Sequence, residues 1–351
     1  MKSPLDKAKK LLAAANKAEN EGNLSKALQL YKQATEIDKS LPNPLLGIAD
    51  VLQHQNQWKE AIQVARKVTK RWPNSRAANM AYSIMGTCYR EQGHMLRAER
   101  AYQQALAIEQ KPWTWVLLGE VFLYSGREDE YITSLQNALK IDPLYEEAHY
   151  NLGVQYARRR QYARAENFFR KAIEIDPDYS RAYAELGWLL LKRRKGVRDK
   201  AKAIEAVRLL KKSIKLDPEY GWSRAYMGNA VWTQRKLKAA DEQFRKLMEL
   251  WPDDSLSYWC YGGFLAWEGI NDTLAEEYLR KAVELDPKDS VANYALGKHL
   301  HYWDRNAEAI KFLKKALRQG DERATKIICE IESQSQKINT VNPSKNKSET
   351  T

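Results

Sequence analysis

Seven glycines set the terms for this chain. Gly86, Gly119, Gly153, Gly187, Gly228, Gly262 and Gly297 follow one another at steps of 33, 34, 34, 41, 34 and 35 residues. Prolines keep the same beat at Pro73, Pro143, Pro177, Pro218, Pro252 and Pro287. Self-similarity at a fixed period means that one short supersecondary unit is copied and stacked, because a single copy cannot bury its apolar face alone. The 351 residues could otherwise hold two globular domains; a repeat array replaces that division with one long stacked core.

Around each glycine the residues recur as well. Trp115, Leu118, Gly119 and Phe122 are followed by Ala138 and Pro143; Leu152, Gly153 and Tyr156 by Ala165, Phe169, Ala172 and Pro177. Large knobs at fixed heights, a small hole at the glycine and a proline that stops the second segment describe two short packed helices. The pattern W/Y-x2-L-G-x2-Y, then A-x3-F/Y/L and a closing proline, resembles the tetratricopeptide repeat. Ala15 and Ala49 take the glycine slot in two earlier copies. The resemblance covers nine repeats, at 8–41, 42–75, 79–111, 112–145, 146–179, 180–220, 221–254, 255–289 and 290–323. It implies an all-α fold, a right-handed superhelical solenoid of antiparallel helix pairs. Residues 1–7 read as a lead-in, 324–333 as a capping helix with Ile327, Ile328 and Ile331 on one side, and 334–351 as a disordered polar tail. Repeat six carries seven extra residues between Leu191 and Ala206, expected at the turn between its helices, where solenoids tolerate length.

The sequence excludes several functions. Charged residues make up 29% of the chain and mean hydropathy is −0.67. No apolar run approaches the roughly 20 residues that span a bilayer. Met1–Lys10 is basic, but the apolar stretch behind it ends at Ala15, too short for a secretory leader. Cys88, Cys260 and Cys329 lie far apart without a C-x-x-C partner, which suits a reducing compartment; a cytoplasmic monomer is expected. His54, His94, His149, His299 and His301 form no metal-binding spacing, and neither a phosphate loop nor a nucleophile elbow appears. No catalytic residue, metal or cofactor is expected.

The resemblance implies a different kind of site. In that family the first helix of each repeat lines a concave groove, and the groove positions here fall on Trp113, Tyr124, Tyr150, Asn151, Trp188, Trp222, Tyr226, Asn229, Trp232, Trp259, Trp267, Tyr294 and Tyr302. Aromatic rings give contact area at low entropic cost and are favoured anchors for a partner; the same spacing also suits rings that fill gaps between adjacent helices. The first three repeats place small or polar residues there instead, Asn16, Asp50 and Thr87 among them. A chaperone-tail carboxylate clamp is not expected, since Asn151 is flanked by Val116 and Glu120 in the repeat before and Arg181 and Glu185 in the repeat after. The leading reading is a protein-interaction adaptor holding a peptide or helix of another protein.

A second reading starts from charge. Between Tyr156 and Lys215 stand 18 Lys and Arg against 7 Asp and Glu, most of the chain's net charge of +13. Arg158, Arg159, Arg160, Lys192, Arg193, Arg194, Lys195 and Arg198, then Arg235, Lys236 and Lys238, fall on inter-helix turns. Stacked turns would form a basic ridge able to meet RNA or an anionic surface, although a solvated edge has the same composition. No aromatic residue interleaves the ridge in sequence, which disfavours base stacking.

Overall fold

The computed structural model describes residues 3–192 and 200–341. All regular structure among them is helical. Two compact units meet at Pro177 and Asp178. The first holds five helix pairs: α1 Pro4–Asn20 with α2 Leu24–Ile37, α3 Asn43–His54 with α4 Trp58–Arg71, α5 Arg76–Glu91 with α6 Met95–Ile108, α7 Pro112–Tyr124 with α8 Glu128–Ile141, and α9 Glu146–Arg158 with α10 Tyr162–Ile175. The second holds α11 Ser180–Lys192 with α12 Lys200–Leu216, α13 Gly221–Thr233 with α14 Leu237–Leu250, α15 Ser255–Glu268 with α16 Asp272–Leu285, and α17 Ser290–Tyr302 with α18 Asn306–Arg318. A last helix, α19 Arg323–Val341, follows. Each helix packs on its partner, and within the first unit α1, α3, α5 and α7 also touch in succession.

Local rules set the boundaries. A residue before proline is pushed out of the helical region by the ring that follows. Asp142, Asp176 and Asp286, each preceding a proline, are extended, and α8, α10 and α16 stop one residue earlier. Between paired helices, wherever the turn lies among the described residues, it passes through a left-handed residue. Gly22, Gly93, Gly126 and Gly269 supply it at φ +61° to +75°, while Asn56, Arg160, Arg235 and Asp304 do so in other pairs. The glycine slot has a direct explanation. A Cβ on Gly153 would lie 2.6 Å from the Phe169 ring, on Gly86 2.6 Å from Tyr102, and on Gly228 2.5 Å from Phe244. The knob of the second helix therefore sits where that methyl would be, an aromatic ring in these repeats and Leu210, Leu279 or Leu313 opposite Gly187, Gly262 and Gly297; Tyr102, Phe169 and Phe244 are fully buried.

Three boundaries differ from the sequence reading. The first helix starts at Pro4 inside the expected lead-in, because Ser3 and Asp6 form a capping box ahead of it. α12 is 17 residues long where α10 and α14 are 14, so part of the repeat-six insertion lengthens a helix; residues 193–199 lie outside the described ones. α19 runs to Val341, so residues 334–341, expected as disordered tail, are helical; 342–351 lie outside the described residues. Adding residues to a helix already nucleated and docked costs little, which is why a polar run continues it.

Candidate partner-binding surfaces

In the second unit the aromatic residues of α11 and α13 form a layered cluster. Trp188 and Tyr226 stack face to face, 4.9 Å between centroids and 3° between planes, and Trp222 leans on Tyr226 at 5.5 Å. Tyr226 is buried and its hydroxyl donates to Glu185 at 3.2 Å, so it supports this platform from beneath rather than lining it. Trp188 is part-buried and Trp222 is 36% exposed; these two present the surface. Asn229 spends its amide on the Ala225 carbonyl at 2.9 Å. Trp232, edge-on to Phe264 and Trp267, donates its indole N–H to Glu268 at 2.6 Å. Both are therefore engaged by their own array. Trp259 and Tyr294 pack against the core under α19, and the Arg323 guanidinium lies 4.3 Å from the Tyr294 ring centre. Trp267, 65% exposed, carries Lys298 at 4.4 Å over its face; burial pushes the Lys298 ammonium below its ordinary value. Tyr302 is 75% exposed, edge-on to Trp303.

In the first unit Tyr124 stands exposed at the end of α7, Tyr150 tilts against Phe169, and Asn151 is part-buried. Trp113 is exposed, with Lys111 over its ring, and borders a cavity of about 1070 Å³. That cavity is walled by residues of α1, α3, α5 and the start of α7, including Asn16, Glu19, Asp50, Met80 and Ile84. Glu19, Asp50 and His54 bring side-chain ligand atoms within 4.8 Å of one another, the one such cluster among the described residues. The expectation that no metal-binding arrangement exists rested on spacing along one segment, whereas these three residues come from two helices. The Asp50 carboxyl is held above its usual range, first by burial and then by neighbouring Glu19, against the pull of His54. Sequence reasoning missed this cavity because it weighed ring size; the signal was the polar residues Asn16 and Asp50 at groove positions.

The basic turns behave individually. Arg159 pairs with Asp129 at 2.7 Å and Glu128 at 3.7 Å, and Arg235 reaches Glu268 at 3.5 Å. Arg158, Arg160, Lys236 and Lys238 are exposed. Lys192, the last residue of α11, stands 5.3 Å above the ring of Trp188 one turn earlier on the same helix. Arg193, Arg194, Lys195 and Arg198 lie outside the described residues. His149 binds the Pro143 carbonyl at 2.9 Å, and His299 is buried, with its imidazole pushed below its ordinary value by that burial. Among the described residues no helix is long and apolar enough to cross a membrane.

Comparison with known proteins agrees with this architecture. Four tetratricopeptide-repeat family models match, over residues 41–111, 146–179, 168–205 and 271–289. A curated relative is the probable UDP-N-acetylglucosamine–peptide N-acetylglucosaminyltransferase SPINDLY of Hordeum vulgare, 28% identical over 179 residues, which is 49% of this chain and 19% of that protein. The chain thus spans about a fifth of the length of that relative. Among solved structures, the APC/C hetero-tetramer Cut9-Hcn1 superimposes with a TM-score of 0.59 at 16% identity, over 83% of this chain and 55% of that one. Yeast Tom70 gives 0.51 at 14% identity, over 96% and 91%. At these identities the two structures speak for the fold alone.

Proposed function

The chain is a tetratricopeptide-repeat protein, and from that premise we propose that it is a non-catalytic adaptor which holds a peptide or helical segment of another protein against the aromatic faces of its first helices. The observation that carries this reading is the Trp188–Tyr226–Trp222 platform. Two indoles on neighbouring first helices stay accessible while a buried tyrosine fixes them from below. Rigid rings held in this way lose little entropy on binding, and truncating such an anchor costs about 2 kcal/mol or more, roughly thirtyfold in affinity. Binding through apolar anchors depends only weakly on salt, whereas a ridge that meets phosphates loses affinity steeply as salt rises. Pairing of Arg159 with Asp129 and Glu128 supports the first alternative.

The test is capture from a lysate on immobilised protein, washed at low and high salt with and without nuclease and read by mass spectrometry. Proteins retained through high salt and nuclease are the expected result, and Trp188→Ala with Trp222→Ala should release them without loss of helicity. Unchanged capture by the folded double variant would refute the groove. Material lost with salt or nuclease would transfer the function to the basic turns.

A further inference from the structure

The cavity of the first unit lies outside the aromatic platform and has a different chemistry. Its apolar wall includes Leu46, Ile84, the exposed Met80 and the exposed Trp113; Glu19 and Asp50 stand at one part, and Arg76 and Lys111 also line it, Lys111 paired with Glu109. Tyr31, buried beneath, donates its one hydroxyl proton to a Glu19 oxygen at 2.5 Å, with Asn16 Oδ1 2.7 Å from the same hydroxyl. That leaves the second Glu19 oxygen, Oε1, buried without a hydrogen-bond partner. His54 Nδ1 lies 3.9 Å from an Asp50 oxygen, and no Lys or Arg of the described residues pairs with either carboxylate. An acceptor that the fold has taken from water and left unanswered, as it has Glu19 Oε1, is costly to keep, while the neighbouring Asp50 side chain stays 42% exposed.

We propose that this cavity receives an extended segment of a partner protein bearing a basic side chain, whose cation enters between Glu19 and Asp50 while a neighbouring apolar residue lies on Met80 and Trp113. Charge complementarity at Glu19 and Asp50, which Arg76 and Lys111 of the same lining do not pair with, selects the cation, and the cavity of about 1070 Å³ with thioether and indole walls selects something longer than an ion. A lysine or arginine stem suits this arrangement, since its methylenes can lie on apolar surface while its head reaches the acids. The segment is distinct from whatever the Trp188 platform holds, so either site can fail without the other.

The test uses the full chain and two fluorescent peptides that differ in one position, a central lysine flanked by leucines and the same peptide with norleucine. Anisotropy titration should show the lysine peptide binding about tenfold tighter, the scale of hydrogen bonds to a charged group. Glu19→Gln with Asp50→Asn, which keeps side-chain volume, should bring the ratio to about one with circular dichroism unchanged. Trp113→Ala, away from the acids, should weaken both peptides equally, and Trp188→Ala with Trp222→Ala should leave the ratio as it was. Equal binding of the two peptides to wild type, or a lysine preference that survives loss of both acids, would overturn the proposal. So would zinc or calcium alone binding at Glu19 and Asp50 while neither peptide binds, which would make this an ion site.

Discussion

The glycine slot permits a prediction whose sign reverses with its neighbour. In Gly153→Ala the new methyl would stand 2.6 Å from the Phe169 ring, against an ordinary carbon contact of about 3.5–4.0 Å. The ring must retreat by roughly 1 Å, yet Phe169 is completely buried and has no free volume to enter. Overpacking of this kind costs about 1–3 kcal/mol, and replacing a helical glycine by alanine returns about 1 kcal/mol of propensity. The net expectation is a loss of about 1 kcal/mol. With Phe169→Ala already in place the obstruction is gone, so Gly153→Ala should stabilise by about 1 kcal/mol, a coupling of about 2 kcal/mol between the sites. The chain holds two arrangements with alanine in the slot: Ala49 with Ala65 in the second repeat, both fully buried, and Ala15 with buried Tyr31 in the first, where the Tyr31 ring lies against Gly47 of the next repeat. Urea midpoints and slopes for wild type, two single variants and the double variant measure the cycle, with constant slopes required for the comparison. The same change in stability from Gly153→Ala in both backgrounds would refute the reasoning.

Arg160 occupies a left-handed turn at φ +58°, so Arg160→Gly should be more stable than Arg160→Ala by about 1 kcal/mol, measured by thermal melts, although both remove the same charge. Burial pushes the Cys88 thiol up to about 12 and raises Cys260 well above its usual range, while Cys329 is exposed. A thiol reagent at neutral pH should therefore label Cys329 alone in the native chain, as peptide mapping would show, with the other two reacting only after denaturation. Asp50, facing Glu19, Tyr31, His54 and Cys88, has its carboxyl raised above the ordinary 3.8, so the stability tied to its proton is present below that value and is lost as pH climbs through the folded value. Asp50→Asn should melt higher than wild type at neutral pH and lose that advantage near pH 3, the opposite of what a structural ion pair would give. Trp188→Ala with Trp222→Ala should keep full helicity by circular dichroism while losing salt-resistant partners.

What the sequence showed plainly was whatever a residue decides within its own repeat. Proline at 143, 177 or 287 ends a helix through its own ring, and Gly153 accommodates a knob 16 residues later, so both signals recur at the period. Side-chain employment is settled elsewhere. Tyr226 is withdrawn from the surface by Trp188 and Glu185 on the preceding first helix, and Trp232 by Glu268 on the following one. Ranking groove positions by ring size cannot see this, and it also passed over the cavity, where Glu19 and Asp50 matter because two helices turn them toward each other.

Yet the inter-repeat pairs have a regularity of their own. Arg127 meets Glu99, Arg159 meets Asp129 and Arg305 meets Glu276, each turn arginine reaching back 28 to 30 residues to an acid on the preceding second helix. Nearest-neighbour stacking produces that offset, because one repeat back is a constant distance along the chain as well as in space. A basic residue on an inter-helix turn with an acid at that offset is therefore more economically explained as a stitch between repeats than as a contact for phosphate. Arg159, counted by composition among the ridge residues, is such a stitch. Its charge is answered inside the first unit, which removes Arg159 from the basic residues left to meet phosphate, while Arg158 and Arg160 beside it stay exposed.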